Sequence, residues 1–267
     1  MSITPQLNIY SGITGATPAT EIDQLTRFKM AIVGRVKTGK SWLACTMPGE
    51  KFVFDFDNRK ESIAGKPNTT VKTYQDVLQS QPKCLAELEK DLKMFEYNKA
   101  QGKPIPDVFV LDSMTWFVKA IENDLMKSVS RLSRDVKTSA MTITIPAGWD
   151  IVTGVRNIME NVISRLAAMG HVICIFHEEA EKDVAKSTAE DKVYTGAVAV
   201  HPFYLRTLLS TFNETWRIEV KNGDYLLTLK PTSDFGASTT LRVDKNEKAN
   251  IADIISKHKL NLAKEVK

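Results

Sequence analysis

The sequence predicts an α/β protein in which a mostly parallel twisted sheet is flanked by helices and a β-hairpin lies near the C-terminus. Three observations support this fold class. Apolar runs typical of buried strands alternate with helical patterns from residue 28 onward, and a glycine-bounded loop joins the first run to the first helix. A later segment alternates in polarity around Asn222 and Gly223, as a hairpin does. Alternating strands and helices place the strands side by side in one largely parallel sheet.

The individual elements are placed by their periodicity and by the residues that flank them. Strands are predicted at residues 28–34, 51–57, 108–111 and 172–176. Helices are predicted from Lys40 to about Met47, at Leu85–Tyr97, from Asp112 to about Met126, at Trp149–Met169 and, as a short amphipathic helix, in the C-terminal tail. The hairpin is predicted over residues 215–230, because Asn222 and Gly223 can adopt the positive φ angles of a two-residue turn.

The chain has 267 residues, which is long enough to bury a sizeable core in one large domain or in two small ones. Residues 1–25 are rich in Thr, Ser, Gly and Pro, and we expect them to form an extended N-terminal arm. Residues 26–245 are predicted to form the α/β domain, and residues 246–267 a C-terminal helix and tail.

The composition excludes several classes of protein. Hydrophobic residues at 43% and charged residues at 25% argue against global disorder, and the net charge of +4 permits contact with nucleic acid without requiring it. The three cysteines, Cys45, Cys84 and Cys174, lie far apart, so a reducing cytoplasm is expected and neither a disulfide framework nor a zinc site is indicated. No apolar run approaches the length of a membrane span, and the N-terminus lacks a signal-peptide pattern, so no membrane contact is expected.

The loop GRVKTGKS, residues 34–41, fits the phosphate-loop pattern G-x-x-x-x-G-K-[ST]. Glycine allows the backbone to turn its N–H groups inward, and the start of the following helix adds unpaired amides that favour an anion. The residues expected to surround the phosphates are Gly34, Arg35, Val36, Lys37, Thr38, Gly39, Lys40, Ser41 and Trp42. Lys40 is expected to contact the β and γ phosphates, and Ser41 to bind a magnesium ion. A basic surface turn is the alternative, which the position between a strand and a helix disfavours.

Carboxylates follow two further predicted strands, at the edge where ligands bind in such sheets. Asp112 follows the apolar run VFVL, and we expect it to hold a magnesium-bound water and to orient Ser41; a helix N-cap is the alternative. Asp55 and Asp57 alternate along their strand and therefore point to the same face. One of the two is expected to face the γ-phosphate and polarise the attacking water, and a solvated strand end that caps a turn is the alternative.

The fourth predicted strand ends in His177 and Glu178, next to the same edge. A polar side chain at this place is expected to hydrogen-bond the γ-phosphate and to report its loss to the loop that follows. The sequence alone does not choose between the two residues, and an exposed histidine at a strand end is the alternative.

Four segments, GRVKTGKSWLA, FVFDFDN, VFVLDSMTWF and VICIFHEE, come in the same order as the core motifs of RecA-like ATPases. The shorter architecture resembles the phage-encoded RecA-like single-strand annealing ATPases of the Sak type, also described as phage AAA or nucleotide-binding proteins. The resemblance covers residues 28–242. It implies a RecA-like P-loop NTPase core within residues 26–245, with ATP and Mg²⁺ as cofactors and a location in the host cytoplasm.

The resemblance also implies roles for individual residues. An acid after the second core strand activates water, and this role carries over to Asp57, although the family often has the longer glutamate there. The polar sensor at the end of the fourth strand carries over to His177 or Glu178. A cation near the C-terminal strands reaches the ATP of the neighbouring subunit, and Arg242 resembles this late arginine, with Lys230 as the alternative. The implied catalytic set is Lys40, Asp57, Asp112, His177, Glu178 and Arg242, and the implied metal ligands are Ser41 and Asp112.

In RecA-like filaments two loops contact single-stranded DNA, and their places here are residues 128–145 and 179–196. The cations and the aromatic residue that the resemblance offers for DNA contact are Arg131, Arg134, Lys137, Lys182, Lys186, Lys192 and Tyr194. Six acidic residues lie in the second loop or directly before it, from Glu178 onward, so a solvated loop is the alternative. Self-association into a ring or filament is expected, with the arm segment QLNIYSGI as an added edge strand. A phage single-strand DNA-binding protein is a further candidate partner.

Together these features predict an ATP-binding and ATP-hydrolysing RecA-like protein that acts on single-stranded DNA in phage recombination or replication. Two alternatives stay open. The first is a nucleotide-switched loader or assembly module with slow turnover, and the second is a small-molecule P-loop kinase. No base-reading motif distinguishes ATP from GTP.

Overall fold

The computed structural model describes residues 27–74, 84–132, 145–182, 194–198, 200, 209–232 and 236–265. In this part of the chain nine strands form one mixed sheet. The strands are β1 (Lys29–Gly34), β2 (Lys51–Asp55), β3 (Thr69–Thr73), β4 (Val108–Asp112), β5 (His171–Lys182), β6 (Tyr194–Val198), β7 (Glu214–Lys221), β8 (Asp224–Thr228) and β9 (Asn246–Lys248). The helices are α1 (Lys40–Ala44), α2 (Cys84–Ala100), α3 (Met114–Leu132), α4 (Ile145–Met169) and α5 (Ile251–Glu265), with 3₁₀ turns at Lys60–Ile63 and Leu209–Thr211.

The strand order is β3-β2-β4-β5-β1-β7-β8-β9, and β6 pairs with β5. All pairs from β3 to β7 are parallel, whereas β8 and β9 add antiparallel strands at one edge. In the register of the sheet Gly34 lies beside His177, and Asp55 lies beside Asp112. The carboxyl ends of four strands therefore meet at one edge. The predicted fold class, a mostly parallel sheet flanked by helices with a C-terminal hairpin, is confirmed.

The central strands are buried on both faces, which explains their continuous apolar sequences. Phe109 and Leu111 of β4 pack on the face covered by α2, α3 and α4. Val108 and Val110 of the same strand pack on the opposite face, together with residues of α1 and α5. Helix α5 belongs to this core because Ile251 and Ile254 are buried in it. Among the described residues no helix has both the length and the apolar character needed to cross a membrane.

The hairpin forms as predicted, with Asn222 at φ 53° and Gly223 at φ 87° between β7 and β8. Other predicted limits are wrong. The strand β5 continues past Phe176 to Lys182 and pairs antiparallel with β6. The first and the last residues of the second predicted loop therefore belong to two paired strands. The sequence did not predict this extension because its residues are mostly polar and lack the apolar run of a buried strand.

Several further boundaries differ from the predicted ones. Helix α1 ends at Ala44, and helix α3 extends to Leu132, so the start of the first predicted loop is helical. Helix α4 begins at Ile145, β2 ends at Asp55, and β3 had no predicted counterpart. The predicted arm (residues 1–25) and the predicted DNA-contact residues Arg134, Lys137, Lys186 and Lys192 lie outside the described residues.

Candidate functional site

The loop between β1 and α1 is a tight turn that leaves no room for side chains at its two glycines. A Cβ atom on Gly34 would lie 2.6 Å from the backbone oxygen of Ile218, so only glycine lets β1 end this close to β7. Gly39 has φ 79°, and a Cβ there would lie 3.2 Å from the ring of Tyr225. Lys37 also has a positive φ of 67°, and Thr38 Oγ1 donates a hydrogen bond of 2.8 Å to the carbonyl of Arg35. The motif therefore adopts a closed loop at the end of β1.

Lys40 lies inside this loop and is 5% exposed. Its Nζ donates hydrogen bonds to the carbonyl oxygens of Gly34, at 2.8 Å, and of Arg35, at 2.6 Å. Burial lowers the pKa of Lys40 to about 8, although the negative charges of Asp112 and Asp57 act in the opposite direction. The ammonium group is thus held at the sheet edge, where a phosphate oxygen can replace a carbonyl oxygen as its partner.

Ser41 and Asp112 come together at the start of α1 and the end of β4. Ser41 Oγ donates a hydrogen bond of 2.5 Å to Asp112 Oδ2, and Asp112 is 7% exposed. Burial raises the pKa of Asp112 to about 7, the bond from Ser41 lowers it, and the nearby Asp57 and Asp55 raise it further. The carboxylate thus faces the phosphate loop. The next residue, Ser113, precedes α3, and its buried Oγ has no hydrogen-bond partner.

Asp55 and Asp57 have different surroundings. Asp55 accepts hydrogen bonds from the backbone N–H of Arg59 at 3.1 Å and from Thr73 Oγ1 at 2.9 Å, and these bonds join β2 to its turn and to β3. Burial raises the pKa of Asp55 in spite of the two bonds. Asp57 lies beyond the end of β2, and its Oδ2 lies 3.5 Å from His177 Nε2. Asp57 Oδ1 is buried and has no hydrogen-bond partner.

Aromatic packing fixes the backbone that carries Asp57. The ring of Phe56 stacks on Phe117 with centroids 4.7 Å apart and on Tyr74 at 5.2 Å. The backbone N–H of Phe56 also donates a hydrogen bond to the carbonyl of Asp112. The carboxylate of Asp57 is therefore positioned by a rigid segment, although the strand itself has ended.

His177 and Glu178 point in opposite directions, as neighbours on a strand do. His177 lies beside Asp57, and its buried Nδ1 has no hydrogen-bond partner. The side chain of Glu178 is 1% exposed and forms a bidentate ion pair with Arg217, at 2.6 Å and 3.0 Å. Of the two sensor candidates, only His177 lines the cleft that contains Lys40.

Lys40, Ser41, Asp57, Asp112 and His177 line one cleft of about 420 Å³. The lining consists of Lys37, Gly39, Lys40, Ser41, Trp42, Asp57, Arg59, Glu61, Ser62, Asp112 and His177. Other predicted loop residues, Arg35, Val36 and Thr38, line a second cavity of about 400 Å³ together with Glu178 and Arg217. The phosphate loop thus forms a wall between the two cavities, since Lys37 lines both.

Residues 26–241 match the sequence model of a family described as an AAA domain. The chain belongs to this AAA domain family. Domains of this kind are typically NTPases, which fits the cleft and the predicted class of P-loop ATPase. Among solved structures the chain is similar to the RadB recombinase, with 12% identity over 79% of this chain and 84% of that chain and a TM-score of 0.37. None of the curated proteins matches the sequence.

In this AAA domain the predicted late arginine lies away from the cleft. The backbone N–H of Arg242 donates a hydrogen bond of 2.9 Å to His258 Nδ1, and its carbonyl accepts one of 2.7 Å from Asn261. Both partners belong to α5, and neither Arg242 nor Lys230 is among the residues that line the cleft of their own chain.

Three residues of the cleft were missed by the sequence analysis, namely Arg59, Glu61 and Ser62. They follow Asp57 in the segment DNRKES, of which only DNRK was considered, as the turn in the alternative to a catalytic role of Asp57. Asn58 has φ 56° and belongs to the bend that precedes these three residues. An Asn after a strand-terminal acid was the available signal, because Asn tolerates this conformation better than most residues do.

Trp42 was predicted to contact the nucleotide, and it lines the cleft with its side chain 43% exposed. The ammonium group of Lys66 lies 4.5 Å from the centroid of its ring. This cation–π contact orients an aromatic surface next to the phosphate loop.

The described part of the AAA domain offers few protein ligands for a metal ion. Among the described residues no group of three or more His, Cys, Asp or Glu side chains is placed to hold one. The pair of Ser41 and Asp112 fits magnesium, which keeps several waters and takes few ligands from the protein. Ser41 Oγ would bind the ion directly and Asp112 would hold one of its waters. The ion would neutralise phosphate charge.

Proposed function

We propose that this AAA domain binds and hydrolyses ATP with Mg²⁺ in the cleft at the carboxyl edge of its sheet. We also propose that it acts on single-stranded DNA in phage recombination or replication. One observation carries the proposal of ATP hydrolysis: Lys40, the pair of Ser41 and Asp112, and Asp57 with His177 come from four different strand ends and line one cleft. A cation, a metal-binding pair and a carboxylate are the groups that phosphoryl transfer to water requires.

Each residue has a distinct task in the proposed reaction. Lys40 and the N–H groups of the loop hold the β and γ phosphates. Asp57 orients a water and accepts its proton as the water oxygen bonds to the terminal phosphorus and the bond to the β-phosphate oxygen breaks. ADP and inorganic phosphate are the products. His177, 3.5 Å from Asp57, keeps the carboxylate in place and contacts the terminal phosphate.

The proposed DNA contact is supported by strand β5, which connects the cleft to the predicted DNA-contact loop. His177 lines the cleft, and β5 runs on from it to Lys182, which lies within the predicted DNA-contact loop of residues 179–196. A change at the terminal phosphate therefore has a short path to that loop. The net charge of +4 is compatible with phosphate contacts of this kind.

Self-association is part of the proposal because none of the described residues of the C-terminal strands brings a cation into the cleft of its own chain. Arg242 is exposed and lies beside α5, a position from which we propose that it contacts the nucleotide of a neighbouring subunit in a ring or filament. Lys230 is the alternative cation. A phage single-strand DNA-binding protein is the proposed additional partner.

The test is ATP turnover by the purified chain with and without single-stranded DNA, for the wild type, Lys40→Ala and the control Lys60→Ala. Lys60 is an exposed cation of the 3₁₀ turn that does not line the cleft, so its loss controls for charge alone. We expect DNA to stimulate turnover and Lys40→Ala to abolish it. Turnover that needs a small-molecule acceptor would instead identify a kinase. If the chain binds nucleotide but DNA changes neither its ATP turnover nor its oligomeric state, the result would identify a nucleotide-switched module.

A further inference from the structure

Arg59 is a cation of the cleft to which neither a sequence motif nor the family match assigns a role. Its Nε lies 3.7 Å from Asp57 Oδ2, and its side chain is 52% exposed, whereas that of Asp57 is 4% exposed. Arg59 lines the same cleft as Lys40 and Ser41. The guanidinium group therefore lies at the solvent side of the carboxylate that we propose to activate water.

The backbone of Arg59 is fixed while its side chain is loosely held. Its N–H donates a hydrogen bond to Asp55 Oδ1, directly after the left-handed residue Asn58. The contact with Asp57 is longer than the distance of about 2.8 Å that a charge-assisted hydrogen bond prefers. Because the guanidinium is half exposed and makes no short hydrogen bond to Asp57, it can exchange this contact for a stronger partner.

We propose that Arg59 is a phosphate-contacting residue that acts within its own chain. Its guanidinium leaves Asp57 and contacts the terminal phosphate of a bound nucleoside triphosphate, so that the carboxylate of Asp57 becomes available to water. The inference rests on the proposed function. The planar fork of an arginine fits phosphate oxygens better than it fits one distant carboxylate oxygen. The exchange gives the cleft a preference for triphosphate over diphosphate.

This role differs from the one predicted for Arg242. Arg242 lies beside α5 and needs a second subunit, whereas Arg59 lines the cleft of its own chain. The preference for triphosphate therefore persists at protein concentrations at which the chain is monomeric.

The test compares the affinities of fluorescent ATPγS and ADP, with Mg²⁺, for the wild type, Arg59→Ala, Arg59→Lys and Lys60→Ala in dilute protein. We expect Arg59→Ala to weaken ATPγS binding about tenfold or more and ADP binding less than about twofold, as for loss of one bond to a charged group. Arg59→Lys should recover part of the ATPγS affinity, because it keeps the charge without the fork. Lys60→Ala, which also removes one surface charge, should change both affinities little.

A double variant separates contact with phosphate from an effect through Asp57. In the background of Asp57→Asn, Arg59→Ala should still weaken ATPγS binding by the same factor. Three outcomes would overturn the inference and leave nucleotide binding itself intact. Arg59→Ala could lose no ATPγS affinity, or lose ATPγS and ADP affinity equally, or lose ATPγS affinity only when Asp57 is present. A wild type that binds neither nucleotide would overturn the proposed function as well, and thus differs from these outcomes.

Discussion

Ser41 Oγ donates a 2.5 Å hydrogen bond to Asp112 Oδ2, across 71 residues of sequence. Ser41 is the last residue of the phosphate-loop motif, and Asp112 is the last residue of β4, two strands away from β1 in the sheet. The bond joins the loop that is proposed to hold phosphate to the carboxylate that is proposed to hold a magnesium-bound water. The bond places the two side chains of the proposed metal site next to each other before any ion binds.

The first prediction concerns the charge of Asp112. Asp112→Asn keeps the shape and an acceptor for Ser41 but removes the negative charge that favours the metal. We expect the gain in nucleotide affinity that Mg²⁺ provides to fall by about 10- to 100-fold, as for other residues that orient a metal-bound ligand. Affinities measured with Mg²⁺ and with a chelator give this quantity. The matched control is Asp107→Asn, whose carboxylate accepts a hydrogen bond from Glu50 N outside the cleft. An unchanged magnesium effect in Asp112→Asn would contradict the assignment.

The second prediction separates Asp57 from Asp55. Asp57→Asn should lower ATP turnover by about 10²- to 10⁴-fold, the usual contribution of a general base, and leave nucleotide affinity nearly unchanged. Asp55→Asn should instead lower the melting temperature, because Asp55 holds the turn and β3 through Arg59 N and Thr73. Turnover at low temperature and thermal unfolding distinguish the two effects. Equal loss of turnover in both folded variants would refute the distinction.

These two carboxylates also mark how far the sequence can predict the site. The phosphate-loop motif and the apolar runs are local patterns, so they are sufficient to predict that Lys40, Ser41 and Asp112 follow strand ends. The separate surroundings of Asp55 and Asp57 depend on the end of β2, on Thr73 in the unpredicted strand β3 and on the packing of Phe56 against Phe117. No local pattern encodes these long-range contacts.

The remaining misses have the same physical cause. Arg59 lines the cleft directly after a bend that contains Asn58 in the left-handed region. His177 was not separable from Glu178 because both are polar, and only the pairing of Gly34 with His177 and the position of Arg217 on β7 assign them to opposite sides. The extension of β5 depends on β6, which lies in a segment that was interpreted as a polar loop.

The third prediction concerns the ion pair between Glu178 and Arg217. Glu178 is almost completely buried, so Glu178→Gln removes a buried charge that forms two hydrogen bonds with Arg217. We expect the free energy of unfolding to fall by about 1.5–3 kcal/mol, the usual contribution of a hydrogen bond to a charged group. Chemical denaturation measures the change. An unfolding free energy unchanged in Glu178→Gln would contradict the buried pair.

The fourth prediction concerns stability in acid. His171 Nδ1 accepts a hydrogen bond of 3.0 Å from Phe28 N, and burial lowers the pKa of His171 below 6.5, although the charge of Asp107 opposes this. The unfolded chain therefore binds a proton more readily than the folded protein. The contribution to stability is complete above pH 6.5 and is lost as the pH falls through the lowered pKa of the folded state.

Denaturant titrations at about pH 7.5 and about pH 5 measure this loss, which for one group does not exceed about 1.4 kcal/mol per pH unit. His171→Asn places an amide that does not titrate, with an oxygen as acceptor, near the position of Nδ1. We expect this variant to show a smaller decrease in acid than the wild type. An identical decrease in both proteins would assign the pH dependence to other groups.

A crystal structure with Mg²⁺ and a non-hydrolysable ATP analogue tests the central claim most directly. We predict that the phosphates lie against the N–H groups of the loop, that Lys40 Nζ leaves the carbonyl oxygens of Gly34 and Arg35 to contact them, and that Ser41 Oγ binds the ion with Asp112 on one of its waters. An analogue bound outside the cleft, or a Lys40 that keeps both carbonyl partners while the analogue is bound, would contradict it.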